Sequence, residues 1–197
     1  MTIPVFKNVK CITILFLTIL FLTRCSNQSK NSKEVSLAGM YKLLIIEIQD
    51  STGVWYEDSW AKGGESYIIY DGLGHMAVQI TPKGYKDFKW LGELESINQN
   101  FVKQKVDSMS LQDLKAAVMN FSSNYVYVAD YSVNDTANII THKRISSSIP
   151  SIWGTTVKRA FTFSGDTLIL LASNKSSLKV LNVNRRLKWV RQKDDNY

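Results

Sequence analysis

The sequence predicts a mainly β protein, an antiparallel barrel of about eight or more strands with one capping helix and a partly helical insertion. Three observations lead there. Short β-prone runs alternate with Gly-, Asp- and Asn-containing turns between Gly39 and Arg191. One segment, Ser110–Ser122, joins a helix start to apolar residues at helical spacing. No cysteine follows Cys25, so the body has no disulfides and must be held by burial and hydrogen bonding. Closing the sheet on itself also removes exposed strand edges.

The elements follow in chain order. Lys7 and Lys10 form a small basic start, and Cys11–Leu22 is apolar apart from two threonines. Charge, a short apolar core and then a cleavage region is the order of a secretory signal, expected over residues 1–24. Its core is shorter than the roughly 20 apolar residues of a spanning helix. Leu22-Thr23-Arg24-Cys25 resembles the lipobox of bacterial lipoproteins, although Arg24 stands where a small residue is usual. That resemblance implies that Cys25 is the first mature residue and carries lipid. A plain signal peptide cut elsewhere and an uncleaved anchor are the competing readings. Residues 25–38 read as a flexible tether, rich in Ser, Asn and Lys. The barrel domain is expected over 39–193, with insertion and helix over 82–122.

Met40–Ile48 is a strand rich in Leu and Ile, ended by the turn Asp50-Ser51-Thr52-Gly53. Val54–Trp60 suggests a second, irregular strand. Ser66–Tyr70 and His75–Thr81 flank Asp71-Gly72-Leu73-Gly74, a hairpin pattern. Residues 82–109 are charged, with Trp90, Leu91, Leu94, Ile97 and Phe101 spaced in threes and fours, as in a partly helical insertion. Ser110 caps the next helix, with Asp113 three residues on. Leu111, Leu114, Val118 and Phe121 share one face of it and are expected to pack on the body. Strands resume at Tyr125–Val133, Ile139–Ser146, Thr155–Phe163, Thr167–Ala172 and Lys188–Arg191. Alternation places Val157, Arg159, Phe161 and Phe163 on one side, and likewise Tyr127 with Tyr131 and His142 with Arg144.

These blocks, in this order, resemble the bacterial lipocalin-like domains over residues 39–191. Gly39-Met40-Tyr41-Lys42-Leu43 stands where the family opens with Gly-x-Trp. The hairpin around Gly74-His75-Met76, the strand piece Ile140-Thr141-His142, and Trp153-Gly154 with Arg159-Ala160-Phe161 are similar to family segments. So are Gly165-Asp166-Thr167-Leu168 and Leu187-Lys188-Trp189-Val190-Arg191. Tyr41 in place of Trp and the long charged insertion are departures. The resemblance implies a lipocalin-like barrel in which Arg191 packs over Tyr41 and closes one end.

It also implies an interior pocket. The large amphipathic or ionisable residues on the aligned strands and turns are Tyr70, His75, Tyr131, His142, Trp153 and Arg159, and these are the expected ligand contacts. An inward Arg159 requires a partner or an anionic ligand. The two histidines, the only ones in the chain, lack a third ligand at local spacing, so no metal site is expected. No Ser elbow, Walker loop or dinucleotide fingerprint is present, so neither a catalytic residue nor a cofactor is assigned. The formal charge is +7, which falls to +4 without Lys7, Lys10 and Arg24, and no basic patch points to nucleic acid.

Three functions remain open at this stage. One is a lipid-anchored envelope protein binding a small apolar or amphipathic molecule, outer-membrane, periplasm- or surface-facing; Ser26 after the cysteine resembles the outer-membrane sorting rule. The second is an isomerase or cyclase using His75, His142 or a tyrosine. The third is a structural part of an envelope complex. A filled barrel favours the third, and two histidines meeting in a cavity favour the second.

Overall fold

The computed structural model describes residues 36–88, 92–172 and 184–193. The leader, Cys25 and the tether up to residue 35 lie outside the described residues, as do Trp90 and Leu91. Nine strands are described: β1 (Gly39–Gln49), β2 (Trp55–Glu57), β3 (Tyr67–Tyr70), β4 (His75–Ile80), β5 (Tyr125–Asn134), β6 (Ile139–Ser147), β7 (Thr156–Ser164), β8 (Thr167–Ala172) and β9 (Asn184–Arg191). Between β4 and β5 lie α1 (Glu93–Ile97), α2 (Gln99–Ser108) and α3 (Leu111–Ser122).

Every neighbouring pair is antiparallel, and β3 to β9 follow one another in chain order. β1 pairs with both β3 and β9, which closes eight strands into a barrel. β2 is an additional strand, held by Glu47–Gln49 of β1. The expected strand over 54–60 stops after three residues. Asp58 accepts a hydrogen bond from the Trp60 backbone N–H at 3.0 Å and caps a single 3-10 turn, Ser59–Ala61. A short carboxylate beside its own backbone competes with the sheet ladder in this way.

Strand periodicity decides the inside. Ile68 and Tyr70 of β3, Met76, Val78 and Ile80 of β4, and Leu168 and Leu170 of β8 are buried at alternate positions. The residues between them face outward, as in the exposed Ile69 and half-buried Ala77.

Three interactions fix the β1–β9 seam. At one end Tyr41 pairs with Arg191, whose guanidinium lies 4.7 Å from the Tyr41 ring centre. Arg191 also donates to the carbonyls of Ala38 and Ser36, and the Tyr41 hydroxyl donates to Leu37 O at 2.9 Å. Burial pushes the Tyr41 phenol up to about 12, against the pull of Arg191, so it stays neutral. Gly39 is needed for this contact. Its φ is +142°, and a Cβ there would lie 2.6 Å from Arg191 Nη1. At the other end, on the outer face, Glu47 binds Arg186 at 2.5 Å and Lys188 at 3.0 Å. The hydrogen bond from Arg186 holds the Glu47 carboxyl below its ordinary range. Trp55 of β2 lies 4.2 Å from the same guanidinium, which gives the short extra strand a packing reason.

Helix α3 starts as expected, with Ser110 Oγ accepting from the Asp113 N–H at 3.1 Å. Its packing face differs from the expected stripe. Leu111 and Val118 are 67% and 57% exposed, and the buried position is Ala117. Leu114 is half-buried, and Phe121 meets the rings of Tyr85 and Phe88. Half of the expected stripe is thus kept, with the small Ala117 rather than Val118 at the contact.

Arg191→Ala removes a stacked cation and two hydrogen bonds from one end of the barrel. We expect a loss of about 2–4 kcal/mol in urea unfolding, with Gly39→Ala also destabilising because the side chain meets Arg191. Unchanged stability in both variants would contradict the closure described.

Candidate ligand-binding site

The barrel interior carries a polar centre. His142 of β6 is fully buried. The Tyr70 hydroxyl lies 3.1 Å from its Nε2 and the Tyr127 hydroxyl 2.9 Å from its Nδ1. Tyr131 packs edge-on against Tyr70, ring centres 5.0 Å apart. The arrangement follows from the sheet. Tyr127 and Tyr131 are two positions from Ala129 on β5, and Tyr131 pairs directly with His142. Both ring nitrogens therefore have a partner, which is the condition for burying an imidazole.

Burial pushes His142 down to about 3, reinforced by the positive charges of Arg159 and Arg144. Burial also raises Tyr70 and Tyr127, so all three groups are neutral. A neutral imidazole donates from one nitrogen and accepts at the other. One of the two tyrosine hydroxyls therefore donates to the ring and the other accepts from it. The positive charge of Arg159 also acts on Tyr127 and opposes the rise caused by burial. Arg144, on the same face of β6 as His142, lies over the Tyr127 ring at 5.2 Å and donates to Thr155 Oγ1 at 2.7 Å.

At the end of the barrel remote from Tyr41 and Arg191 lies a cavity of about 330 Å³, lined by Asp58, Trp60, Ile80, Tyr125, Arg159, Ala172, Arg185 and Leu187. Its walls are the ends of β4 and β8 and the starts of β5 and β9; the 3-10 turn after Asp58 supplies Trp60. Trp60 meets Tyr125 edge-on with ring centres 6.2 Å apart, and its indole N–H donates to Ser123 O at 3.3 Å. Asp58 pairs with Arg185 at 2.9 Å. Aromatic walls with a few fixed polar groups are the usual make-up of a small-molecule site.

Of the six residues expected to touch one pocket, the structure gathers four. Tyr70, Tyr131 and His142 form the buried centre, and Arg159, whose charge acts on His142, lines the cavity. The other two lie elsewhere. His75 is 64% exposed in its side chain and pairs with Asp71 at 2.6 Å, because Met76, Val78 and Ile80 take the inward positions of β4. Trp153 is 55% exposed on the link between β6 and β7, its indole N–H bonded to Ser147 O. The two histidines therefore do not meet. Among the described residues no three His, Cys, Asp or Glu side chains converge as metal ligands.

A family profile described as a lipocalin-like domain matches residues 38–191. The chain belongs to the lipocalin-like domain family. No curated protein and no solved structure matches it.

In this lipocalin-like domain the sequence reading missed Asp58, Trp60 and Arg185 as cavity residues. Arg185 was legible: counting back by twos from Trp189 through Leu187 puts it on the inner face, had β9 been started at Asn184. Asp58 and Trp60 lie on an irregular turn, where no period applies.

The buried imidazole has a pH consequence. Its pKa is lower folded than unfolded, so folding favours the neutral ring. That stability is complete above the unfolded value of about 6.5 and falls by about 1.4 kcal/mol per pH unit as pH drops toward 3. Urea unfolding of wild type and His142→Gln at pH 7 and 4.5 should show the wild type losing about 2–3 kcal/mol more than the variant. In NMR titration His142 should stay neutral through the range where free histidine titrates. His75, raised by its hydrogen bond to Asp71, should titrate above the ordinary histidine value. A free-histidine titration at His142 would contradict the buried centre.

Proposed function

We propose that this lipocalin-like protein is a lipid-anchored component of the cell envelope that binds a small apolar or amphipathic molecule in the mouth of its barrel. The cavity of about 330 Å³ between Trp60, Tyr125, Ile80 and Leu187 carries this reading. An eight-stranded barrel has room for one small ligand, as lipocalins illustrate. The cavity volume lies at the low end for such sites and suits a single ring system or a short chain. Separation of the two histidines and the neutrality of His142 weigh against an acid–base pair of imidazoles.

Anchoring rests on the sequence of the leader, with Cys25 at the end of the apolar core. A lipid on Cys25 and a polar tether of about a dozen residues would keep the barrel near a membrane surface, where apolar ligands concentrate. Cys25→Ser should move the protein out of the membrane fraction of its own cells. Persistence of the variant in that fraction would remove the lipoprotein reading.

Ligand binding is tested with N-phenyl-1-naphthylamine, a neutral probe that brightens in apolar surroundings. The full chain, in a fixed concentration of nonionic detergent, should bind it saturably at one site. Ala172→Trp fills the cavity and should abolish that signal while leaving only partition into micelles, which serves as the blank. Identical signals from wild type and Ala172→Trp would overturn the proposed site.

A further inference from the structure

We propose that the ligand is an amphipathic anion, its carboxylate held by Arg159 and its apolar body lying against Trp60, Ile80 and Leu187. This rests on the cavity reading above and adds the chemical class of the ligand.

The argument is a count of charge and hydrogen-bond capacity around the cavity. Two guanidinium groups line it, Arg159 and Arg185, and one carboxylate, Asp58. Asp58 is already committed at both oxygens. One accepts from the Trp60 backbone N–H at 3.0 Å and the other binds Arg185 at 2.9 Å. Its single negative charge is thus paired with Arg185, which leaves the charge of Arg159 unbalanced. None of the ion pairs among the described residues includes Arg159. The inward residues around it carry no negative charge: Ile140 and His142 on β6, Leu170 and Ala172 on β8, and Tyr127 on β5.

The surplus extends to donors. Arg185 Nε is buried without an acceptor. A half-buried wall with one unpaired cation and a spare N–H group is matched by an oxyanion. A guanidinium fork fits the edge of a carboxylate. The rest of the cavity is aromatic or aliphatic, so the anion must carry an apolar part.

The test uses the bound naphthylamine probe and a matched pair of competitors, octanoate and 1-octanol, on the full chain in detergent at neutral pH. Octanoate should displace the probe from wild type at about tenfold lower concentration than 1-octanol. Arg159→Gln should erase that preference, chiefly by weakening octanoate, while displacement by 1-octanol stays close to wild type. Arg159→Lys should restore part of the preference, since it keeps the charge and loses the fork. Absence of cavity-dependent probe binding sinks the ligand-site reading itself. Probe binding with equal displacement by the two competitors, or an octanoate preference that survives Arg159→Gln, sinks the anion assignment and leaves the ligand site standing.

Discussion

Pairing of the first strand with the last is the constraint on which the rest of the structure depends. Without β1 against β9 the sheet is an open ribbon with two long edges and no interior. The contacts that hold this pairing are unlike one another. Arg191 over Tyr41 is a stacked, backbone-bonded cation closing one end, whereas Glu47 with Arg186 and Lys188 is a charged cluster on the outer face. Trp55 extends the second into β2, so that extra strand reaches the seam although it stands outside the ring.

Closure creates an interior, and chemistry divides it. One end is plugged by Tyr41, Trp189 and Arg191; the middle holds the neutral Tyr70–His142–Tyr127 group; the other end is open and cationic. The middle layer is polar yet has its ring nitrogens satisfied, so it serves as a floor with no charge of its own. Arg159 stands at the border, its charge acting on His142 and Tyr127 while it lines the cavity.

How much of this could be read from the chain depends on whether a period was available. Alternation gave Tyr127 with Tyr131, His142 with Arg144, and Arg159 with Phe161, and all lie on the inner face. The hairpin at Asp71–Gly74 and the cap at Ser110 rest on local chemistry that no distant contact reverses. His75 was drawn toward the pocket by chemical appeal, although the period through Met76, Val78 and Ile80 turns it outward. Trp153, Asp58 and Trp60 lie on irregular backbone, where direction is decided by which carbonyl or N–H each side chain reaches. On α3 Leu114 and Phe121 follow the expected stripe, but Val118 is exposed and the small Ala117 takes the buried position, which apolar spacing did not single out.

The seam also bears on the order in which the barrel assembles. Glu47 and Arg186 are separated by 139 residues, so their contact is among the most distant in the chain. Loop closure over such a span is entropically costly and slow, and it waits for the final strand to be made. Until then β1 has a bare edge toward its absent neighbour, open to pairing with another chain. The hairpins β3–β4, β5–β6, β6–β7 and β7–β8 need no such wait, since the strands of each are joined by short links. The barrel is thus a structure whose local pieces can form early but whose identity as a container arrives only with its last eight-residue strand.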